Sequence, residues 1–483
     1  MEDKKMLYQS ISYLIGTVIV AIGTFCLSVF YSKMFAPSEF GVYSLVFSTY
    51  SLINTALAGW IISSIIRFYK EYEIEDLALF KATLFKSFVA LSSIVFIIVL
   101  ICFLAMGTAS LIGQLSIIFS ICFFFGNLVN FVNSFFRARQ ESKKYNLFSI
   151  VNSVFKIILV LVLYYLFNLK NVVSIALSIL FSEVLVFIIQ IVYERSFLYL
   201  FSKEFDFKII KKMAKYGIPL IIVSISNWVL NISDRYIIGF YFNGMNEVGV
   251  YSYSYNLSNS LINTLSQFLM LGAYPAIISE FKEKGEKKTS FLINKYIKTF
   301  LFIMIPSVVG LCLISQKMFK VFVDDNYYDG YSVFYLSAIG IALSSLSQYF
   351  NKPFELKKQT FFISIVFTIC AIINVALNFG LIPFFGYKVA AITTVFSYFL
   401  YCLIIYILSR RLIKIQFDYI YLAKLAFANI VMGISVFVLN LFVNDSVYSI
   451  ILEVIVGVIV YLALSFLLKL IPFDIRKKEE SLK

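Results

Sequence analysis

The sequence contains the hexapeptide EFGVYS at Glu39–Ser44 and a near copy, EVGVYS, at Glu247–Ser252. A second match follows each copy, because SLINT occurs at Ser51–Thr55 and again at Ser260–Thr264. The offsets are 208 and 209 residues, so the two matches keep almost the same register along the chain. One such match has little weight in a chain this rich in Phe, Ile and Ser. Two matches at nearly one offset indicate an internal duplication.

Long apolar segments make up most of the chain and predict membrane-spanning helices, since about 20 apolar residues cross the hydrocarbon core of a bilayer. Hydrophobic residues account for 61% of the sequence and charged residues for 14%, which leaves too little polar sequence for a separate soluble domain. The expected fold class is an all-α polytopic membrane protein with about 14 transmembrane helices. The predicted spans, numbered 1 to 14, are Ile11–Phe35, Phe40–Ile66, Ala82–Met106, Gly113–Phe136, Leu147–Phe167, Asn171–Tyr193, Tyr216–Tyr241, Gly249–Ile278, Tyr296–Gln316, Tyr331–Phe350, Phe361–Pro383, Val389–Ser409, Tyr419–Phe442 and Ser446–Leu468.

The connections between these spans alternate between many and few basic residues. The N-terminus and the even-numbered connections hold 32 of the 41 Lys and Arg residues, the odd-numbered connections hold five, and four lie inside spans. Positive charge marks the cytoplasmic side of a membrane protein, so both termini are expected in the cytoplasm. The basic residues of the cytoplasmic connections account for the net charge of +14, so this charge does not indicate nucleic-acid binding, and we expect no nucleic acid as a partner.

Six spans separate the two copies of the repeat, and an even number of crossings gives both copies the same orientation. The duplication therefore predicts two parallel six-helix lobes around a central cavity, a layout typical of alternating access. The expected domains are an N-terminal lobe of spans 1–6 (residues 1–193), a basic cytoplasmic linker (194–215), a C-terminal lobe of spans 7–12 (216–409), and spans 13 and 14 with a cytoplasmic tail (410–483).

Polar residues follow helical spacing in several spans, which in a bilayer indicates a face turned away from lipid. The residues that we expect to line a polar cavity are Asn127, Asn130, Asn152, Asn227, Asn231, Asn256, Asn259 and Asn263, with a shorter stripe at Asn374 and Asn378. Alternatively, each Asn only joins neighbouring helices by a hydrogen bond, worth about 0.6 kcal/mol in a membrane. The spread of the stripes over both lobes favours the cavity.

Charged residues deep in a span cost on the order of 3 kcal/mol unless they find a partner or water, so they are candidates for function. Lys156 and Glu183 lie at matching depth in spans 5 and 6, either as a structural ion pair or as functional groups. Asp234 and Arg235 are consecutive in span 7, so their side chains point about 100° apart and cannot both face one partner. We expect Arg235 to face the cavity.

Three further basic residues lie close to the predicted cytoplasmic face. Arg67 ends span 2 and has a simple interpretation as an interfacial anchor, while Lys86 and Lys424 are expected to extend to the headgroups. Buried cations suit an anionic substrate such as a diphosphate, because they replace the hydration that its oxygens lose. A buried carboxylate, Glu183 or Asp234, is titratable and suits coupling to H⁺ or Na⁺. We expect no other cofactor and no metal site.

Four motifs resemble one known family. They are FAPSEFGVYS at Phe35–Ser44, RFY at Arg67–Tyr69, YGIP at Tyr216–Pro219 and DRYIIG at Asp234–Gly239. Together they look like the polysaccharide-exporting flippases of the multidrug/oligosaccharidyl-lipid/polysaccharide superfamily, and the resemblance covers nearly the whole chain.

The resemblance implies transport of an undecaprenyl-diphosphate-linked oligosaccharide, a repeat unit of O-antigen, lipopolysaccharide or capsule, across the bacterial plasma (inner) membrane. It implies a substrate-binding cationic lumen, a role that falls here on Arg67, Lys156 and Arg235. A polysaccharide polymerase and a chain-length regulator are the partners that the family implies beside the lipid bilayer. Span 1 has no cation at mid-depth, unlike the peptidoglycan-precursor flippases, which weighs against a lipid II substrate.

Two other functions remain as alternatives. A multidrug antiporter of the same superfamily would share the fold and the repeat, although cationic drugs call for carboxylates without lumen cations. A membrane enzyme of glycan assembly would need a base and an external catalytic loop. The chain has no His, and its longest predicted external connection is Gln316–Gly330. We therefore expect a transporter that is not an enzyme.

Overall fold

A computed structural model of the chain describes residues 23–106, 110–194, 204–242 and 244–472, so predicted span 1 and the linker fall partly outside it. The described residues form helices and no strand, and the all-α fold class is confirmed. The helices are α1 (residues 23–34), α2 (Pro37–Leu57), α3 (Gly59–Ile74), α4 (Leu77–Met106), α5 (Leu111–Ala138), α6 (Ser142–Tyr165), α7 (Val173–Tyr193), α8 (Phe207–Tyr241), α9 (Asn246–Phe322), α10 (Tyr331–Leu356), α11 (Thr360–Phe385), α12 (Val389–Ser409), α13 (Tyr419–Phe442) and α14 (Val447–Leu467), with a 3-10 helix at Asp325–Gly330.

Within these ranges, ten helices are long and apolar enough to cross a membrane, or eleven when the pair α2 and α3, bent by 41°, counts as one span. The protein is thus a multi-pass membrane protein. Three features account for the difference from the fourteen predicted spans. Span 1 is only partly described, spans 8 and 9 both lie in α9, and span 7 lies in α8, some of whose side chains fall outside the description.

Two helices extend beyond the predicted spans that they contain. Helix α8 begins nine residues before predicted span 7, at Phe207, where the Asp206 side chain accepts a hydrogen bond from the Lys208 N–H. The α9 segment consists of two helices that meet at a kink at Gly285, where φ is 72°, and both helices extend into the charged connection between spans 8 and 9. Glu and Lys are good helix formers, so the fall in hydropathy there marks the membrane edge and not the helix end.

The helices form two compact units, Met1–Ser252 and Tyr253–Lys483. The first unit has a Phe-rich core in which Phe131 contacts Phe88 and Phe135, with ring centroids 5.6 and 5.0 Å apart. The second has its own core, where Phe300 packs on Tyr349 with ring centroids 5.2 Å apart. The domain limits expected from the duplication, at residues 193, 216 and 409, stay a prediction.

The two copies of the repeated hexapeptide pack against each other within the first unit. A Cβ on Gly41 would overlap the Met245 carbonyl oxygen, and a Cβ on Gly249 would overlap the Pro37 carbonyl oxygen. Met245 follows Pro37 by the same 208 residues that separate the two glycines. The contact is therefore reciprocal, as in a two-fold interface, and it needs glycine on both sides because backbone meets backbone.

Candidate functional site

A polar cavity of about 250 Å³ lies between α5 and α6 in the first unit, with Ile62 of α3 on its wall. Its polar lining comes from α5 (Asn130, Asn133, Ser134, Arg137) and from α6 (Tyr145, Ser149, Asn152, Ser153). On each helix these residues recur every three or four positions, so one face of the helix carries them all. The structure thus brings together Asn130 and Asn152, which the sequence predicted as cavity residues from separate spans.

Helix α7 closes the back of this cavity with two hydrogen bonds. The Gln190 side chain, fully buried, donates through Nε2 to Asn133 Oδ1 at 2.9 Å. The Ser182 hydroxyl donates to Asn152 Oδ1 at 3.0 Å. These bonds hold the two asparagines in place on the cavity wall, because a buried polar group that loses its partner costs about 1–3 kcal/mol.

Glu183 is the next residue of α7, and its carboxyl group packs against Gly126 of α5, one turn deeper in the membrane than Asn130 of the cavity wall. The residue is 8% exposed, and its Oε2 atom is buried and has no hydrogen-bond partner among the described residues. Lys156, one turn beyond Asn152, lies close enough for its charge to act on this carboxylate. Within the described ranges the two side chains are not among the ion pairs closer than 4.0 Å, so the structural ion pair weighed from the sequence is not formed here.

Gly126 of α5 makes room for the Glu183 carboxyl group. A Cβ at Gly126 would lie 2.9 Å from Glu183 Oε2 and 3.1 Å from its Cδ. We expect Gly126→Ala to displace the carboxyl group and to lower the free energy of unfolding by about 1 kcal/mol relative to Gly310→Ala, a small loss because the displaced atoms end a flexible side chain, measured by thermal unfolding in detergent. Gly310→Ala is the matched control, because nothing lies within 4 Å of its added Cβ. Equal unfolding temperatures for the two variants would contradict this packing.

Arg235 and Asp234 point to different partners, as their spacing predicted. Arg235 is 5% exposed and donates through Nη1 to the Ser48 hydroxyl of α2 at 3.1 Å. Asp234 is 1% exposed and accepts a hydrogen bond from the Tyr251 hydroxyl, which belongs to the second copy of the repeat. Both charges are therefore held by protein groups in this conformation. Contact of Arg235 with a substrate, as the sequence predicted, would require α2 and α8 to separate at Ser48.

The remaining predicted residues lie outside this cavity. Arg67 is exposed on α3, with its guanidinium carbon 5.6 Å from the centroid of the Phe68 ring. Asn127 is buried and donates to the Phe123 carbonyl. The side chains of Asn227 and Asn231 on α8 bond each other. In the second unit, Asn256 is exposed on α9, and Asn259 and Asn263 are half-buried there.

The stripe in span 11 has a packing role. Asn374 donates to the Thr394 hydroxyl at 3.3 Å, and Asn378 accepts from the Thr393 hydroxyl, so the two asparagines join α11 to α12. Both asparagines are fully buried. The interpretation as interhelical hydrogen bonding therefore holds for this pair, and the cavity interpretation is wrong for it.

Sequence reasoning missed one buried ion pair in the second unit. Lys317, near the end of α9, donates to Glu453 Oε1 of α14 at 2.5 Å, and the two side chains are 2% and 0% exposed. In the predicted topology Lys317 falls in the odd-numbered connection after span 9, and Glu453 lies inside span 14. The only signal in the sequence was a carboxylate inside an otherwise apolar span.

Several known proteins resemble this chain in sequence or in fold. A sequence model of the family described as polysaccharide biosynthesis protein matches residues 31–332. An uncharacterized membrane protein of Methanocaldococcus jannaschii is 24% identical over 495 positions, covering 97% of this chain and 96% of its own. Lipid II flippase MurJ in an inward closed conformation has a TM-score of 0.75 at 17% identity, covering 95% of this chain and 98% of MurJ. An inward-facing multidrug resistance MATE family transporter of the MOP superfamily has a TM-score of 0.63 at 16% identity, covering 83% and 97%.

Proposed function

The chain belongs to the polysaccharide biosynthesis protein family, and from this premise we propose that it is a flippase for a lipid-linked oligosaccharide. The substrate would be an undecaprenyl-diphosphate-linked repeat unit of a surface polysaccharide such as O-antigen, lipopolysaccharide or capsule. The protein would move it across the bacterial plasma membrane by alternating access, with both termini in the cytoplasm. The observation that carries the proposal is the polar cavity with Arg137 at its rim, inside a multi-pass protein of a family for polysaccharide synthesis.

The chemistry of the substrate explains why such a cavity is needed. A lipid-linked sugar is apolar at one end and carries hydroxyl groups and a diphosphate at the other. Asn and Ser side chains supply both donors and acceptors for sugar hydroxyls. A guanidinium or ammonium group compensates the charge that a diphosphate loses from solvation. We assign the cationic role to Lys156, Arg67 and Arg235, and the hydroxyl-binding role to the predicted cavity asparagines other than the α11 pair.

Energy for net transport would come from a coupling ion, H⁺ or Na⁺, bound by a buried carboxylate. Glu183 and Asp234 are the two candidates in the first unit. Asp234 accepts a hydrogen bond from Tyr251, whereas Glu183 has a buried oxygen with no hydrogen-bond partner among the described residues. A carboxylate whose lone pairs are not all satisfied gains more from binding a cation, so Glu183 is the stronger candidate.

A multidrug antiporter is the second candidate, because the fold is shared with a multidrug resistance transporter at a TM-score of 0.63. The two functions differ in the charge that the transport pathway must accept. An oligosaccharide diphosphate requires cations in the pathway, and a cationic drug requires carboxylates without them. Deletion of the gene separates the two functions by what accumulates in the cell.

The deletion, made in the host of this protein, is expected to cause lipid-linked oligosaccharide to accumulate on the cytoplasmic side and surface polysaccharide to disappear. Wild-type protein restores export. Lys156→Ala and Arg235→Ala do not restore it at equal membrane insertion, and Arg235→Lys restores part of it, because Lys keeps the charge and loses the fork of donors. Lys424→Ala is the matched control, since its ammonium group donates to the Leu468 carbonyl at the end of α14.

Two results would contradict these assignments. If Lys424→Ala reduced export as much as Arg235→Ala, a cation near the membrane surface would be as important as a cation deep in a span, and the choice of functional cations by depth would be wrong. If surface polysaccharide stayed normal after deletion and sensitivity to cationic drugs rose, the protein would be a drug exporter and the substrate proposal would fail.

A further inference from the structure

The polar cavity of the first unit ends close to the Glu183 carboxylate, whose Oε2 atom is buried and has no hydrogen-bond partner among the described residues. Ser182 donates to Asn152 on the cavity wall, and Glu183 is the next residue of α7. Asn152 lies ten residues into α6, about 15 Å from its start, and Lys156 lies one turn deeper. On α5, the Glu183 carboxyl group packs against Gly126, which lies one turn deeper than Asn130 of the cavity wall. The carboxyl group of Glu183 therefore lies just beyond the inner end of the cavity.

The other end of the cavity lies at the turn between α5 and α6. Arg137, in the last turn of α5 and exposed, lines that end together with Tyr145. The connection there carries Arg139, Lys143 and Lys144, so the charge pattern places it on the cytoplasmic side. A volume of about 250 Å³ holds several water molecules, and the wall offers them donors and acceptors. The cavity is thus a wet path from the cytoplasmic face toward Glu183.

Charges around Glu183 favour a proton over a metal cation. The titratable groups facing it are Lys156 of α6, Tyr50 of α2 and Cys122 of α5. The positive charge of the Lys156 ammonium group repels a sodium ion that would bind at Glu183. The same charge does not prevent a neutral carboxyl group from forming. Gly126 leaves space for the carboxyl group but adds no side-chain ligand for a metal ion.

We propose that Glu183 is a proton-binding site that exchanges with cytoplasmic water through the α5–α6 cavity. The carboxylate takes one proton from a hydronium ion in this water, which leaves a water molecule and a neutral carboxyl group, and the change of conformation in alternating access would then let the proton leave on the opposite side. The inference rests on the proposed function for its purpose, which is to couple proton entry to transport. The site itself is defined by the cavity and by the buried oxygen, and it can be tested without any substrate.

Carbodiimides test the path, because they add to protonated carboxyl groups and leave a stable acylurea that peptide mass spectrometry detects. A water-soluble carbodiimide is applied to membrane vesicles of the full-length protein with the cytoplasmic face outward or inward, and dicyclohexylcarbodiimide serves as the lipid-soluble probe. We expect the water-soluble probe to label Glu183 severalfold faster from the cytoplasmic face, and labelling to fall as pH rises. Glu183→Gln abolishes the adduct. Glu453, which is fully buried and paired with Lys317, stays unlabelled.

Filling the cavity gives the decisive variant. Ser149→Phe places a ring among the polar residues and is expected to slow the water-soluble probe severalfold while dicyclohexylcarbodiimide labels at the wild-type rate, which shows that the protein is folded. Ser116→Phe is the matched control, since Ser116 faces a separate, apolar cavity of about 330 Å³ in the same unit. It should leave both probes unaffected.

Three outcomes would overturn the proposal. They are equal labelling of Glu183 from both faces, equal effects of Ser149→Phe and Ser116→Phe, and protection of Glu183 by sodium chloride but not by choline chloride at fixed pH. The last outcome would make the site a sodium site. Failure of the proposed function looks different, because Glu183 would then label as expected while deletion of the gene caused no oligosaccharide to accumulate.

Discussion

Gly249→Ala is expected to abolish transport and to lower the free energy of unfolding by about 1–3 kcal/mol or more. A Cβ at this position would overlap the Pro37 carbonyl oxygen, and a backbone oxygen has no alternative rotamer to adopt. The start of α2 and the start of α9 must then move apart. Gly41→Ala acts on the same contact from the other side, through the Met245 carbonyl oxygen. The measurements are thermal unfolding in detergent and restoration of surface polysaccharide in the deletion strain.

The matched control for this prediction is Gly272→Ala on the same helix. Nothing lies within 4 Å of its added Cβ, and Ala is favoured over Gly in a helix by up to about 1 kcal/mol, so no loss of stability is expected. Because Gly41 and Gly249 share one contact, the double variant should lose less than the sum of the two single losses. Wild-type stability of Gly249→Ala would show that the two helix starts do not meet as described.

The sequence predicted the features of this fold that depend on local periodicity. Asn130, Ser134 and Arg137 recur at helical spacing, as do Ser149 and Asn152, and each set lies on one face of its helix whatever the tertiary structure. Hydrophobic length likewise predicted the membrane spans. Periodicity does not identify the facing helix, so it placed Asn130 and Asn152 on polar faces but did not predict their contacts with Gln190 and Ser182 of α7 or separate them from the six predicted asparagines that lie outside this cavity.

Contacts between distant segments were beyond the reach of the sequence. The duplication was visible as a repeat, yet nothing in it predicted that Gly41 and Gly249 meet. Lys317 and Glu453 are 136 residues apart, and either residue alone is compatible with a place at the membrane interface. Asn374 and Asn378 had the spacing of a cavity stripe, and only the positions of Thr393 and Thr394 show that they pack. Periodicity identifies a polar face of a helix. Whether that face packs against another helix or lines a cavity depends on the residues opposite it, which only the structure shows.

Glu453→Gln is expected to be the most destabilising change in the second unit. It leaves the Lys317 ammonium group buried without a counter-charge, and breaking a buried pair by removing one partner costs about 3–5 kcal/mol. Lys317 also donates to the Val443 carbonyl at 3.4 Å, but one neutral acceptor does not replace a carboxylate. Thermal unfolding in detergent and the yield of inserted protein measure the loss. Lys317→Met should cause a similar loss, because it leaves the Glu453 carboxylate buried and unpaired.

A neighbouring pair joins α9 to the turn before α14 and serves as the control for that prediction. Lys320 contacts Asp445 at 3.2 Å, with side chains 47% and 43% exposed, so water screens both charges. Asp445→Asn should therefore change the free energy of unfolding by no more than about 1 kcal/mol. Replacing both buried partners, Lys317→Met with Glu453→Leu, should recover most of the stability, since an apolar pair carries no desolvation cost. The prediction would be contradicted if Glu453→Gln lowered the free energy of unfolding no more than Asp445→Asn does. Glu453 would then be as accessible to water as Asp445, and its ion pair with Lys317 would not stabilise the packing of α14 on α9.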